Sequence, residues 1–340
     1  MKIAIHPHPD SFSDKWIEYC KNNQVNYKLV NCYDSDIIQQ LEDCDGLMWH
    51  WSHSDHKAAL FARQLIYSLE RMGKKVFPNS NTCWHFDDKL GQKYLLEAIG
   101  APIVPTYVFY ERTEAMQWAE NTNYPKVFKL RSGAGSSNVS LVENKEKAFE
   151  LIDTAFGKGF SPVPDIHSDL KTKLRKIKSV SIFWKKALNM SKLIEKKQIR
   201  KSFFSSEKGY AYFQNFIPNN DHDIRIVIIG EKAFAIKRMV RENDFRASGS
   251  GLIIHDQAHI PIDCVKSAFS LANKLNTQSV AVDYVFSENK IMLIEISYGF
   301  ARKVYLNCPG YWDKELNWHE GAFTPEWFMI SDFIKSISSH

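Results

Sequence analysis

Paired cysteines are the first thing this chain does without. Its six cysteines, Cys20, Cys32, Cys44, Cys83, Cys264 and Cys308, are scattered, and none forms a Cys-x-x-Cys spacing. That argues against a zinc site and for reduced thiols. No apolar run reaches the roughly 18 residues that spanning a bilayer requires, which argues against an integral membrane protein. The start, Met1-Lys-Ile-Ala-Ile-His-Pro-His-Pro-Asp10, lacks an apolar signal block and reads as a strand, so a cytoplasmic protein is expected. Charge of one sign is scarce: 44 Lys and Arg against 39 Asp and Glu leave +5, too mild to demand a nucleic-acid partner. Repeats and low-complexity tracts are missing too.

What remains is an ordinary globular composition, 44% hydrophobic and 24% charged over 340 residues. That length allows two or three closely packed subdomains. Lys2–Ile5, Tyr27–Val30 and Gly46–Trp51 are strand-like runs alternating with polar or helical stretches, which implies βαβ units and a parallel sheet. Ala58 to Met72 carries apolar residues at helical spacing and stops at Gly73. Residues 1–84 are therefore expected to form one small open α/β subdomain. Residues 85–210 are expected to be a middle subdomain, opening on an N-capped helix over 87–100. Residues 211–340 are expected to form a third. Within 157–201, thirteen Lys and Arg face three acids, a basic amphipathic stretch. It reads as a solvated face, or as a surface for an anionic membrane or polyanionic substrate.

Chemistry concentrates in a few segments. Ala281 to Ser297 is two apolar runs joined by Ser-Glu-Asn-Lys, a hairpin that brings Asp283 and Glu295 onto adjacent strands. Two hard carboxylates suit Mg²⁺, although solvated acids on a surface hairpin would look the same. Arg131-Ser-Gly-Ala-Gly-Ser-Ser-Asn138 follows a strand ending in Lys129. Its glycines would let backbone N–H groups approach anionic oxygens, with Ser136 and Ser137 adding hydroxyl donors. No Gly-Lys-Ser/Thr follows, so it is not a Walker loop, and a plain hairpin is the alternative. Tyr212–Ile217 reads as a strand whose edge could take an adenine ring. Ile224 to Arg238 is an antiparallel hairpin turned at Gly230-Glu231, with Arg225 on one arm and Lys237 and Arg238 on the other. Such cations are costly to bury unless an anion meets them. Arg246 follows in a Gly/Ser setting suited to a mobile loop.

In this order, Asp88-Lys89, Pro125–Lys129, the Gly/Ser loop, Phe213–Ile217, Asp223-Ile-Arg225 and the Asp283/Glu295 pair resemble the ATP-grasp superfamily, over about 87–299. The pattern is nearest to ribosomal-protein glutamate ligases and glutathione synthetase-like enzymes. The resemblance implies an α/β (α+β) ATP-grasp fold, an N-terminal open α/β subdomain and two α+β subdomains gripping ATP. It implies that Lys89 and Lys129 touch phosphates, that Lys237 is a further nucleotide contact, and that Ser136 and Ser137 lie in the closing loop. Gln214, Phe216 and Ile217 would line adenine and Asp221 would hold the ribose. Asp283, Glu295 and Ser297 would hold one or two Mg²⁺ ions, with Mn²⁺ a substitute. Arg225, Arg238 and Arg246 would serve the acyl phosphate. Ser297 departs from the pattern, which usually has Asn there, and this puts the second metal position in doubt.

The implied activity is an ATP- and Mg-dependent carboxylate–amine ligase that acts through an acyl phosphate. The chain is also similar to ATP-grasp proteins of bacterial surface-polysaccharide loci, which implies amide formation on a uronic-acid or other glycan carboxylate and peripheral contact with the inner membrane face through 157–201. Two alternatives stand beside it, an amino-acid ligase acting on a peptide or protein and an ATP-binding regulatory protein without turnover. Trp49-His-Trp-Ser-His-Ser-Asp-His56 lies where open sheets place ligands, and its aromatics suit packing or a polar ligand more than a metal cluster. The Trp- and Tyr-dense tail over 308–321 suggests core or subunit packing, which leaves a homodimer open.

Overall fold

The computed structural model describes residues 1–52, 55–133, 138–161, 206–241, 244–288 and 290–338. The basic stretch from 162 onward, with Ser136, Ser137 and His53, lies outside the described residues. The described chain packs as two units, residues 1–104 with 217–340, and residues 105–216. This grouping differs from the expected boundaries after 84 and 210. Residues 85–104 pack with the first unit, and the N-terminal sheet shares one apolar core with the C-terminal part of the chain.

The first unit opens with β1 (Ile3–Ile5), α1 (Phe12–Asn22), β2 (Tyr27–Leu29), α2 (Ile37–Gln40), β3 (Gly46–Met48), α3 (His56–Arg71) and β4 (Lys75–Phe77). The strands form a four-stranded sheet in the order β2-β1-β3-β4, parallel throughout, as the alternation predicts. Strand order reverses between β1 and β3, so the loops leaving their carboxyl ends meet there. Two helices follow, α4 (Ser80–Cys83) and α5 (Lys89–Ala98). The Asp88 carboxylate caps α5 by accepting from the Gly91 N–H at 3.0 Å, and Gly100 takes φ +65° just past its end.

The second unit holds β5 (Thr106–Phe109), α6 (Arg112–Asn121), β6 (Lys126–Lys129), β7 (Val139–Val142), α7 (Lys145–Phe156) and β8 (Ala211–Asn215). Its antiparallel sheet runs β5-β8-β6-β7, with a core of Phe128, Leu130, Leu151, Ile152 and Phe213. The chain then returns to the first unit with β9 (His222–Ile229), β10 (Lys232–Met239), β11 (Ile253–Ile254), α8 (Ile262–Leu275), β12 (Ser279–Ser287), β13 (Lys290–Ser297), β14 (Gly310–Asp313), β15 (Trp318–Glu320) and α9 (Pro325–Ser338). These strands form a sheet ordered β13-β12-β9-β10-β14-β15, with β11 paired to β10.

Strand alternation sorts this sheet's two faces. Ile224, Ile226 and Ile228 turn to α8, where Cys264, Val265, Ala268 and Leu271 cover them. Val227, Ile229, Phe234, Ile236 and Ala281 turn the other way and join Ile5, Phe12, Trp16, Ile330 and Phe333. The same parity places Arg225, Arg238 and Asp283 on this second face, at the end of the apolar patch. No helix of the described residues is long and apolar enough to cross a membrane.

Candidate active site

The polar end of that face is a buried charge network. Register sets it up: Asp283 on β12 lies opposite Arg225 on β9 and opposite Glu295 on β13, and Arg238 on β10 lies opposite Asp223. Arg238 donates from Nε and Nη2 to the two oxygens of Asp223, both at 2.7 Å, and its Nη2 also lies 3.0 Å from Asp283 Oδ2. Arg225 donates from Nη1 to both Asp283 oxygens, at 3.1 and 3.0 Å. All four side chains are largely buried, at 15% exposure or less. Two positive and two negative charges balance there, which buried ions require. Burial is the largest influence on the Arg225 and Arg238 cations and works against them, yet the surrounding acids, Asp283 foremost, together outweigh it and both guanidinium pKa values rise. Burial pushes the Asp223 carboxyl up to about 6 against the pull of Arg238. Tyr305 is buried beside the arginines, its hydroxyl without a hydrogen-bond partner among the described residues and its pKa pushed up to about 12 by burial.

Arg225 uses only Nη1 in this network. A guanidinium has five N–H donors, and among the described residues Nε and Nη2 of Arg225 make no hydrogen bond, which leaves them to an incoming anion. Glu295 is about a third exposed, and its carboxylate lies 3.7 Å from the ammonium of Lys89 at the start of α5. The expected metal trio therefore divides. Glu295 is partly exposed and pairs with Lys89. Asp283 has both oxygens committed to arginines, and the Ser297 hydroxyl donates to the Gly299 carbonyl at 3.0 Å. Among the described residues no group of three or more His, Cys, Asp and Glu is gathered for a metal. The donor set still fits a magnesium ion held through one carboxylate with substrate phosphates completing its shell.

The second unit supplies another set. Lys129 is buried and donates to Gln214 Oε1 at 2.6 Å, while Gln214 Nε2 donates to the Thr106 hydroxyl at 3.0 Å. The Gln214 side chain is thus turned to Lys129, whereas the expectation set it against an adenine ring. Strand β8 ends at Asn215, so Phe216 and Ile217 follow the strand instead of closing it. Lys126, which the sequence reading left aside, donates to Asn215 Oδ1 at 2.7 Å, and burial lowers its pKa. Around the start of the Gly/Ser loop, buried Glu207 accepts from the hydroxyls of Ser132 at 2.8 Å and Tyr210 at 2.9 Å.

The remaining expected residues lie elsewhere on the first unit. Asp221 is mostly exposed and pairs with His222, whose hydrogen bond holds its pKa down. Lys237 is half-buried on β10, and Arg246 pairs with Asp244 two residues away. His50 stacks on Phe12 with ring centroids 3.8 Å apart, and its Nδ1 lies 2.6 Å from the Ser11 hydroxyl. Asp223 and Tyr305 carry no motif of their own. Asp223 was legible only as the first residue of Asp-Ile-Arg, and only its register partner reveals that it anchors Arg238.

The chain matches no family model. A curated relative, the alpha-aminoadipate–LysW ligase LysX of Saccharolobus solfataricus, is 18% identical over 232 residues, 67% of each chain. The RimK domain protein ATP-grasp of Sphaerobacter thermophilus superposes with a TM-score of 0.56 at 14% identity, covering 98% of this chain and 100% of its own. The D-alanine–D-alanine ligase of Bacillus anthracis does so with a TM-score of 0.58 at 12% identity, covering 100% and 99%. This chain has the ATP-grasp fold.

Proposed function

We propose that the protein is an ATP- and magnesium-dependent carboxylate–amine ligase. The observation that carries this reading is the neutral Arg225/Arg238/Asp223/Asp283 network, which leaves Arg225 donors open on the face that also bears Glu295 and Lys89. The terminal phosphoryl group of ATP passes to a substrate carboxylate, releasing ADP and leaving an acyl phosphate. An amine then attacks the acyl carbon, the C–O bond to phosphate breaks, and the nitrogen loses a proton. Magnesium, held by Glu295, would neutralise phosphate charge that otherwise repels the carboxylate.

The protein's own part is positioning and charge. Asp223 and Asp283 fix the two guanidinium planes, so Arg225 meets the carboxylate and its phosphorylated product without reorganising. Lys89 would draw phosphate oxygens from beside Glu295. In the second unit, Lys129, oriented by Gln214, would meet phosphate as well. Phe216 and Ile217 are proposed against adenine, Asp221 against ribose, Lys237 toward the nucleotide and Arg246 toward the acyl phosphate. The finer proposal for the substrates is an amino acid or other amine joined to a uronic-acid or glycan carboxylate.

A second reading draws on the name of the curated relative, which pairs alpha-aminoadipate with LysW. On it, the acceptor would be a peptide or protein. Release of ADP from MgATP over a panel of acids and amines, with the conjugate weighed by mass spectrometry, tests both. A glycan acid conjugate supports the first and a peptide conjugate the second. Nucleotide binding with no ADP release over the panel would sink both, and would favour a regulatory protein without turnover.

A further inference from the structure

Among the described residues, six buried nitrogens of the first unit have no hydrogen-bond partner, and four of them belong to three residues near one another: Trp51 Nε1, Arg63 Nε and both ring nitrogens of His85. The residues that carry them all touch or adjoin Phe86. Arg63 donates from Nη2 to the Phe86 carbonyl, the Trp51 ring meets the Phe86 ring edge-on at 5.0 Å, and His85 precedes Phe86 in the chain. The Arg63 guanidinium also lies over the Trp51 ring, 5.3 Å from its centre. His85 and Trp51 are almost wholly buried, at 1% and 2% exposure. Buried polar groups in folded proteins are nearly always satisfied, and four orphans on three neighbouring residues call for an occupant.

We infer that Trp51, Arg63 and His85 form a recess for a single carboxylate group of the acid substrate. Three arguments narrow the occupant to an anion. First, the available donors are an indole N–H, a guanidinium N–H and an imidazole N–H, and two carboxylate oxygens can accept from all of them. Second, Arg63 is half-buried with no ion pair among the described residues, and its Nε is buried without a partner, so an anion reaching it would supply both a counter-charge and an acceptor. Third, Asp88, the acid whose charge reaches His85, is engaged in capping α5. Burial and the Arg63 charge lower His85 to about 4, so it waits as a neutral ring.

The recess is tied to the reacting face. Buried Gln92 donates from Nε2 to the His85 carbonyl at 3.1 Å and accepts at Oε1 from the Ile296 N–H at 3.2 Å, one residue from Glu295. The Tyr298 hydroxyl donates to the Trp51 carbonyl at 2.7 Å. A carboxylate in the recess is thus held by groups bonded to the strand that carries Glu295. This suits a dicarboxylate or an acidic amino acid, with one carboxylate gripped and another reacting. The role as a substrate site rests on the ligase reading, whereas anion binding itself does not.

The test uses the full chain with ¹⁵N-labelled indoles, titrated with sodium acetate against sodium chloride at matched ionic strength. Trp51→Phe identifies the Trp51 signal among the nine indoles. A saturable, acetate-selective shift of that signal is expected, weakened roughly tenfold or more in Arg63→Gln. Arg63→Lys, which keeps the charge but loses the Nε donor, serves if Arg63→Gln does not fold, and should also bind acetate more weakly. No selective shift, or equal affinity in the folded variant, overturns the recess. MgADP binding to the same wild-type sample separates the two ideas. Nucleotide binding without an acetate response removes the recess alone. An acetate response in a protein that neither binds nucleotide nor forms ADP removes the ligase reading alone.

Discussion

Arg238 is gripped by Asp223 through two parallel hydrogen bonds of 2.7 Å, Nε to one carboxylate oxygen and Nη2 to the other. The pair sits across the β9–β10 ladder, and Asp283 reaches the same guanidinium from β12. One buried arginine therefore joins three strands.

Asp223→Ala should leave that network with one excess positive charge. Breaking a buried pair by removing one partner costs about 3–5 kcal/mol, and the surviving Asp283 contact puts the expected loss near the lower end. Urea unfolding measures it. A loss below about 1 kcal/mol would mean the network is solvated and does not fix the arginines.

Asp283 and Glu295 face each other in register, yet their variants should behave differently. Asp283→Asn strips charge from a carboxylate bound by two arginines, so it should lower stability by about 3 kcal/mol. Glu295→Gln should keep the folding midpoint and cut ADP formation by roughly 10²-fold or more, through weaker metal-assisted charge neutralisation. Near-normal turnover in Glu295→Gln would remove its metal role. Equal loss of folding stability in both would remove the division of labour.

The hairpin carrying these acids was legible because its signals are local: alternating apolar residues and a turn between them. The parallel N-terminal sheet was legible for the same reason. The partners of Asp283 were not. Arg225 is 58 residues away, and β9 enters the sheet between β12 and β10 out of chain order. A lysine–glutamine contact such as Lys129–Gln214, 85 residues apart, leaves no periodic trace either. His85 stands alone in the sequence, and only its burial without partners gives it meaning.

Gln214 should matter to nucleotide through Lys129. Gln214→Leu removes the oxygen that accepts from Lys129 and the amide that donates to Thr106. The expected cost is about 1–3 kcal/mol of stability, because buried polar groups lose a partner, with MgATP affinity falling roughly tenfold as Lys129 reorients. Calorimetric titration with MgATP checks this. Unchanged affinity in a folded Gln214→Leu protein would detach Lys129 from the phosphates.

Acid should destabilise the protein before most of its carboxylates protonate. Burial lowers His50 to about 3 and His85 to about 4, whereas the unfolded histidines titrate near 6.5. Between these values the unfolded chain binds protons that the folded one refuses, so stability is full above pH 6.5 and falls as pH drops. From pH 6.5 to 5 each histidine removes about 2 kcal/mol. Asp223 opposes this. Its folded pKa is raised to about 6, so the folded state gains a proton first and recovers about 1 kcal/mol by pH 5. The expected net loss is about 3 kcal/mol, read as a lower urea midpoint at pH 5 than at pH 7. His85→Asn should remove roughly half of the histidine contribution, since an amide does not titrate in this range. Coincident midpoints at the two pH values, in wild type and variant alike, would show that neither histidine is held neutral by its surroundings.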